Sequence, residues 1–430
     1  MKQQFVLSEY SDEFLLPGYE LSREEREYLT KTSVIHESRP WERRFYFDEL
    51  RSGVRIKTQS WVGVIELEKV RIIIQPKLNK GFTSLIDMIS FIEDLPIYQW
   101  EDTSGTVDKT NFLEILVRLF LKEVEQVLQL GLVKEYITES DNLTTLRGRV
   151  NFRENLRRNF NLPTKVFCNY DELVTNVKEN QILLSVLVKI SSFHLQPKTK
   201  QHLNKIRSQM ELLCNEYRGT EWPTFHYHRL NAHYERAHKI GQYLWNSTSA
   251  TSFFTKQNFY YSFLIDMNNL FEKFVVQLLY KYLPKGFKVI AGKRITDAIT
   301  LEGKSFRHII PDILVENKIT KEMQVLDVKY KQYGKKRVNT EDVYQLAFYA
   351  QNKTQEQVKY YDASIIYPRF FDETEIRDKK INLNIHSNYP GVLTLKPISI
   401  EQILKASRDQ EKDYLREQAM RFVSKESSYV

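Results

Sequence analysis

Two cysteines, Cys168 and Cys214, are all that 430 residues contain. They cannot build a disulfide framework, and no Cys-x-x-Cys spacing offers a zinc or iron–sulfur site, so a reducing cytoplasm is expected. No run approaches the roughly 18 apolar residues that a membrane span requires. The opening MKQQFVLSEYSDEF meets acidic residues before any long apolar stretch. The chain is therefore expected to be soluble and unsecreted, with no membrane partner. A phosphate-binding loop is missing as well. Gly303-Lys304-Ser305 echoes the end of one, but Ala298 stands where its first glycine belongs and the strand-like SFRHII follows. No nucleotide is expected to bind this chain, and any motor activity would fall to a partner. Repeats and low-complexity linkers are also absent. Charge of a single sign is lacking: 63 Lys and Arg face 55 Asp and Glu, for a net +8. That balance, with a pI near 9.0, fits an anionic partner met by a mixed surface rather than a polycation.

What is present divides into three. A chain of this length has a prior of about three domains and ample apolar content for real cores. Residues 1–105 are rich in strand signals. They open with a short helix started by a Ser22/Glu25 capping box, followed by FYFDEL, SGVRIKTQSWVGVIEL and VRIIIQPKL. Val54, Ile56, Val62 and Val64 fall in one alternating phase. Residues 106–255 read as mainly helical, with one helix ending at Gly131, another stopping before Pro197, and a third following. Residues 256–430 alternate helices and strands and close with a charged helix. The expected class is α/β, multidomain and α+β overall.

Residues 309–331, IIPDILVENKITKEMQVLDVKYK, carry the most chemistry. They read as a strand hairpin with Asp312 on the first strand and Asp327 and Lys329 on the second. Side chains two apart on a strand share a face, so Asp327 and Lys329 point together while Leu326, Val328 and Tyr330 point away. Carboxylate oxygens suit a hard divalent cation such as magnesium, and a nearby lysine can stabilise charge developing on a phosphoryl group. The arrangement resembles the PD-(D/E)xK nucleases. An acid two residues before a lysine also occurs at Glu302/Lys304, Glu316/Lys318 and Asp378/Lys380, but only Asp327 lies in a short β-rich apolar run downstream of the chain's one Pro-Asp pair. The bland alternative is an exposed hairpin with an ordinary ion pair, worth little by itself.

The flanks favour the nuclease pattern. DMNNLFEKFVVQLLYKYL, 266–283, carries a helical apolar stripe with Glu272 at its edge. TEDVYQLAFYAQN, 340–352, reads as a helix with Gln345 and Tyr349 one turn apart, and YDASIIYP, 361–368, as a buried strand. A Gln-x-x-x-Tyr helix after such a strand resembles the RecB-type subgroup. Lys331, Lys335, Lys336 and Arg337 follow the strand and could hold DNA phosphates beside the cut. A second basic cluster, Arg147, Arg149, Arg153, Arg157 and Arg158, reads equally well as a solvated face. His226, His228, His233 and His238 read as structural: in a helix expected over 229–246, steps of five residues would scatter the rings by about 140°.

With these residues in order, the chain resembles the McrC subunit of McrBC-type modification-dependent restriction systems. The segments that carry the resemblance are VGVIELEKVRIIIQPKL, LRGRVNF, CNYDELVTNVKENQILL, NNLFEKFV, PDI, LDVKYK and YQLAFYA. The resemblance implies a DNA endonuclease, bacterial or archaeal, that works with a hexameric McrB-like AAA+ GTPase. The partner would read 5-methylcytosine-type modification, and the N-terminal region here would enter its ring and stimulate GTP hydrolysis. Asp312 and Asp327 would bind magnesium, with manganese able to substitute; Lys329 would assist catalysis and Glu272 would support the metal. Gln345 and Tyr349 would be supporting residues. Two rival readings are a non-catalytic DNA-binding adaptor of the motor and a stand-alone RecB-type repair nuclease.

Overall fold

The capping box at the first helix forms: Ser22 Oγ accepts from Glu25 N at 3.1 Å and Glu25 Oε2 accepts from Ser22 N at 3.0 Å, which starts helix Arg23–Ser33. In the computed structural model the described residues are 2–36, 38–95, 112–161, 164–247, 260–301, 304–331, 333, 338–351, 361–370, 377–383 and 391–423. The fold is mixed α/β. Contacts group the chain into two compact units, Met1–Phe112 with Leu264–Val430, and Leu113–Phe263. The sequence reads as three consecutive parts; in space the first and third share one unit.

The first unit is built on a six-stranded sheet in the order Phe287–Ala291, Ile313–Asn317, Met323–Val328, Tyr361–Pro368, Gly391–Ile398, Lys379–Leu383. The first three strands run antiparallel, the next two continue in parallel, and the last returns antiparallel. Helix Thr340–Gln351 is the crossover that parallel pairing of Met323–Val328 with Tyr361–Pro368 requires. The parallel strands are buried on both faces, which explains why SIIY lacks a polar alternation. Leu314, Val325, Ala363, Ile365, Leu393 and Leu395 pack with Leu346 of the crossover helix.

The N-terminal strands belong to the same unit. Gln3–Ser8 runs parallel to Val70–Gln75, which pairs antiparallel with Trp61–Glu66. Val54, Ile56, Val62 and Val64 are all buried, as their common phase requires. This part grips helix Met267–Tyr282: Met267 N donates to Ser60 O at 2.9 Å, Asn268 Nδ2 donates to Ser60 Oγ at 2.8 Å, and Phe91 packs on Phe274 with ring centroids 5.0 Å apart.

The second unit contains helices Lys178–Ile190, Pro197–Glu211 and Glu235–Ser247 and most of Phe112–Leu130. It also holds strands that a mainly helical reading omits: Glu135–Leu143 and Val166–Val174 pair over nine residues, with Arg149–Val150 alongside. The helix expected over 229–246 begins later, as a short 3-10 turn Ala232–Tyr234 leading into Glu235–Ser247. The histidines are structural parts of this unit. His238 is buried and stacks on Phe225, His233 Nε2 lies 3.0 Å from Gly131 O, and His228 Nδ1 accepts from Leu230 N.

Candidate active site

The site lies where the Ile313–Asn317/Met323–Val328 ladder ends. Ile313 pairs with Leu326, which puts Asp312 and Asp327 across from each other one step further on. Asp312 falls one residue before its strand and Lys329 one residue after its own, so both stand at the ends of the strands rather than on them. Asp312 Oδ2 accepts from Val328 N at 2.8 Å, taking a backbone donor that the ladder would otherwise have used. Lys329 N donates to Ile366 O at 2.9 Å and so extends the parallel ladder, which keeps its side chain on the Asp327 side.

Lys329 Nζ lies 3.0 Å from Asp327 Oδ1 and 3.9 Å from Asp312 Oδ2. The Asp327 side chain is 1% exposed, against 21% for Asp312 and 18% for Lys329. Asp327 Oδ2 is buried and has no hydrogen-bond partner among the described residues. Burial, and then the negative charge of Asp312, push the Asp327 carboxyl up to about 7 against the pull of Lys329. Burial works against the Lys329 ammonium, but the two carboxylates outweigh it and hold its pKa above the ordinary lysine value.

Glu272 sits on helix Met267–Tyr282 within electrostatic reach of this group. Burial raises its pKa, the charge of Asp312 adds to that, and Lys329 opposes it. Glu272 does not complete a ligand cluster: among the described residues no three His, Cys, Asp or Glu side chains converge to hold a metal. The structure therefore brings Asp312, Asp327 and Lys329 together and leaves Glu272 at the margin. Gln345 and Tyr349 meet each other, with Gln345 Nε2 donating to Tyr349 Oη at 2.9 Å. Lys331 Nζ is held 2.7 Å from Asp342 Oδ2, an oxygen that also accepts from the Tyr333 hydroxyl. Lys335, Lys336 and Arg337 lie outside the described residues.

Sequence reasoning missed Asp342, Tyr333, Glu9 and Tyr330. Asp342 reads as a first-turn acid favoured by the helix dipole, and nothing in TEDVYQL signals its partners. Tyr330 reads as one apolar residue of a strand, yet its hydroxyl donates to the buried Glu9.

The family model described as McrBC 5-methylcytosine restriction system component matches residues 56–368. The chain belongs to this family. The matched range opens within strand Gly53–Thr58, closes at the end of Tyr361–Pro368, and holds Glu272, Asp312, Asp327, Lys329, Gln345 and Tyr349. Among solved structures, the fold is similar to a chain of the refined half-complex from a tetradecameric assembly of Thermococcus gammatolerans McrB AAA+ hexamers with bound McrC. The TM-score is 0.64 at 15% identity, over 98% of this chain and 99% of that one. A chain of the cryo-EM structure of the Thermococcus gammatolerans McrBC complex matches with a TM-score of 0.47 and 18% identity, over 65% of this chain and 88% of that one. No curated protein matches. For this McrBC-family chain, the first likeness shows a common fold along nearly its whole length. No helix among its described residues is long and apolar enough to cross a membrane.

Proposed function

We propose that this McrBC-family chain is the magnesium-dependent DNA endonuclease subunit of a modification-dependent restriction system, acting in the cytoplasm with a McrB-like AAA+ GTPase. The observation that carries this reading is the Asp312/Asp327/Lys329 convergence, with one buried carboxylate oxygen left without a partner among the described residues. A buried acceptor without a donor is costly, and a cation would satisfy it. Two carboxylates are enough for magnesium, which keeps several waters and takes further ligands from the substrate's phosphate. The donor set is all oxygen and therefore fits. Asp312 and Asp327 would hold the ion, and Glu272 would add negative charge at the margin.

Bound there, magnesium would supply positive charge for the phosphoryl oxygens and acidify water for in-line attack on the phosphodiester. Lys329, now shared between the two aspartates, would turn its ammonium to the charge developing on phosphorus. Gln345 and Tyr349 would support the site from the crossover helix. The absence of a phosphate-binding loop in the sequence agrees with leaving nucleotide hydrolysis to a partner. The likeness to a McrC assembly with McrB hexamers supports such a partner, and the strand-rich residues 1–105 are our candidate for the surface that meets it.

The test is cleavage of a cytosine-methylated plasmid by the chain assembled with its GTPase. Magnesium-dependent linearisation that chelation abolishes is expected. Undiminished GTPase stimulation with no cutting under any divalent cation would favour the adaptor reading instead.

A further inference from the structure

Tyr330 follows Lys329 directly, and its ring lies on the opposite side of the strand from the two aspartates, 1% exposed. It packs on Phe271, the residue before Glu272, with centroids 5.7 Å apart, and on Phe370 at 5.6 Å. Its hydroxyl donates to Glu9 Oε1 at 2.7 Å. One side chain thus touches the helix that carries Glu272, the segment that carries Lys329, and the N-terminal strands.

Glu9 is an expensive residue at this place. It is fully buried, its Oε1 also accepts from Lys77 N at 2.6 Å, and its Oε2 has no partner among the described residues. Burial pushes its carboxyl up to about 7. The backbone around it is constrained as well: Glu9 N donates to Gln75 O, which prolongs the Gln3–Ser8 ladder, and Tyr10 then adopts a left-handed φ of 48° with its N–H on Gln59 O. A bulky residue in that region is strained and persists only where its surroundings over-determine it. An apolar side chain would fill the Glu9 position at lower cost. What the carboxylate adds is two directional bonds, one from Lys77 N and one from the Tyr330 hydroxyl.

Resting on the nuclease reading above, we infer that Glu9 is a positioning residue of the nuclease site. Through Tyr330 it fixes the backbone that presents Lys329 to Asp327, so the N-terminal sheet is part of the site's framework. Anything that moves that sheet moves the lysine.

Three full-length variants test this: Glu9→Gln, Tyr330→Phe, and the pair Glu9→Leu with Tyr330→Phe. Glu9→Gln keeps an acceptor for the tyrosine and should cut within about threefold of wild type. Removing both polar side chains together orphans neither of them but takes the acceptor from Lys77 N, so the melting temperature should fall by a few degrees at most. That double variant should nevertheless lose at least roughly tenfold in kcat with KM for DNA unchanged, and should need several times more manganese to half-saturate. If the double variant matches wild type in cutting and in manganese binding, Glu9 does not position the site. Should the double variant fail to fold, Tyr330→Phe, which removes a single oxygen, decides on the same readouts. If wild type itself does not cut, the nuclease reading fails separately, and manganese affinity alone decides: equal affinity in wild type and variant overturns the inference.

Discussion

Lys329 Nζ stands 3.0 Å from Oδ1 of Asp327, while the other oxygen of that carboxylate is buried and has no partner among the described residues. The lysine therefore balances a carboxylate that cannot reach water. Lys329→Ala should cost on the order of 1–3 kcal/mol of stability at pH 8, where Asp327 must stay charged. The cost should be smaller at pH 6, where Asp327 can take up a proton. Cleavage should fall by roughly two to three orders of magnitude through lost charge stabilisation. Thermal melts at the two pH values, paired with plasmid cleavage, check both parts.

Metal affinity should depend on pH through Asp327. With its carboxyl pushed up to about 7, the ion must displace a proton below that pH and meets a ready carboxylate above it. The manganese midpoint should tighten about tenfold per pH unit up to pH 7 and then level off. In Asp327→Asn the dependence should be nearly flat. The same raised pKa lowers the stability of the metal-free fold as pH climbs from about 4 to 7, because the native state holds the proton more tightly than the unfolded chain does.

Lys335, Lys336 and Arg337 follow the strand that carries Asp327. Replacing all three with alanine should weaken duplex binding with little dependence on sequence. Each lost phosphate contact should lower the slope of log affinity against log salt by roughly 0.9. A salt titration decides; a wild-type slope and affinity would remove these residues from DNA binding and leave the metal site untouched.

His238 should act as an acid-sensitive point of the second unit. Burial holds its pKa down to about 4, and its Nε2 lies 3.1 Å from Glu179 O while its Nδ1 faces the Tyr227 hydroxyl. The unfolded chain protonates this ring more readily, so its contribution is complete above about pH 6.5 and is lost as pH falls toward 4. It amounts to on the order of 3 kcal/mol. His238→Gln should lower stability at pH 7 and flatten this acid limb in denaturant titrations.

The local parts of the site were legible in the sequence. Alternation along MQVLDVKY paired Asp327 with Lys329, and the apolar stripe of 267–279 outlined the Glu272 helix, because both rest on periodicities of a few residues. The Glu135–Leu143 strand was not legible: its first seven residues are exposed, so Thr138 and Ser140 alternate against no apolar face. Bonds between distant residues were equally silent. Glu9 and Tyr330 lie 321 positions apart, and no pattern in either segment marks the other as its partner. The same holds for the union of the N-terminal strands with the helix Met267–Tyr282, which rests on contacts such as Met267 with Ser60. Removing residues 1–105 should therefore uncover Tyr330 and Phe271 as well as take away the surface assigned to the partner.

The most direct measurement is magnesium-dependent cleavage of methylated plasmid by Asp327→Asn assembled with its GTPase partner. The substitution removes a ligand charge at nearly constant volume. Cleavage should fall by several orders of magnitude, with melting temperature and GTPase stimulation close to wild type. Cutting at the wild-type rate would contradict the assignment of this carboxylate, and with it the nuclease site proposed here.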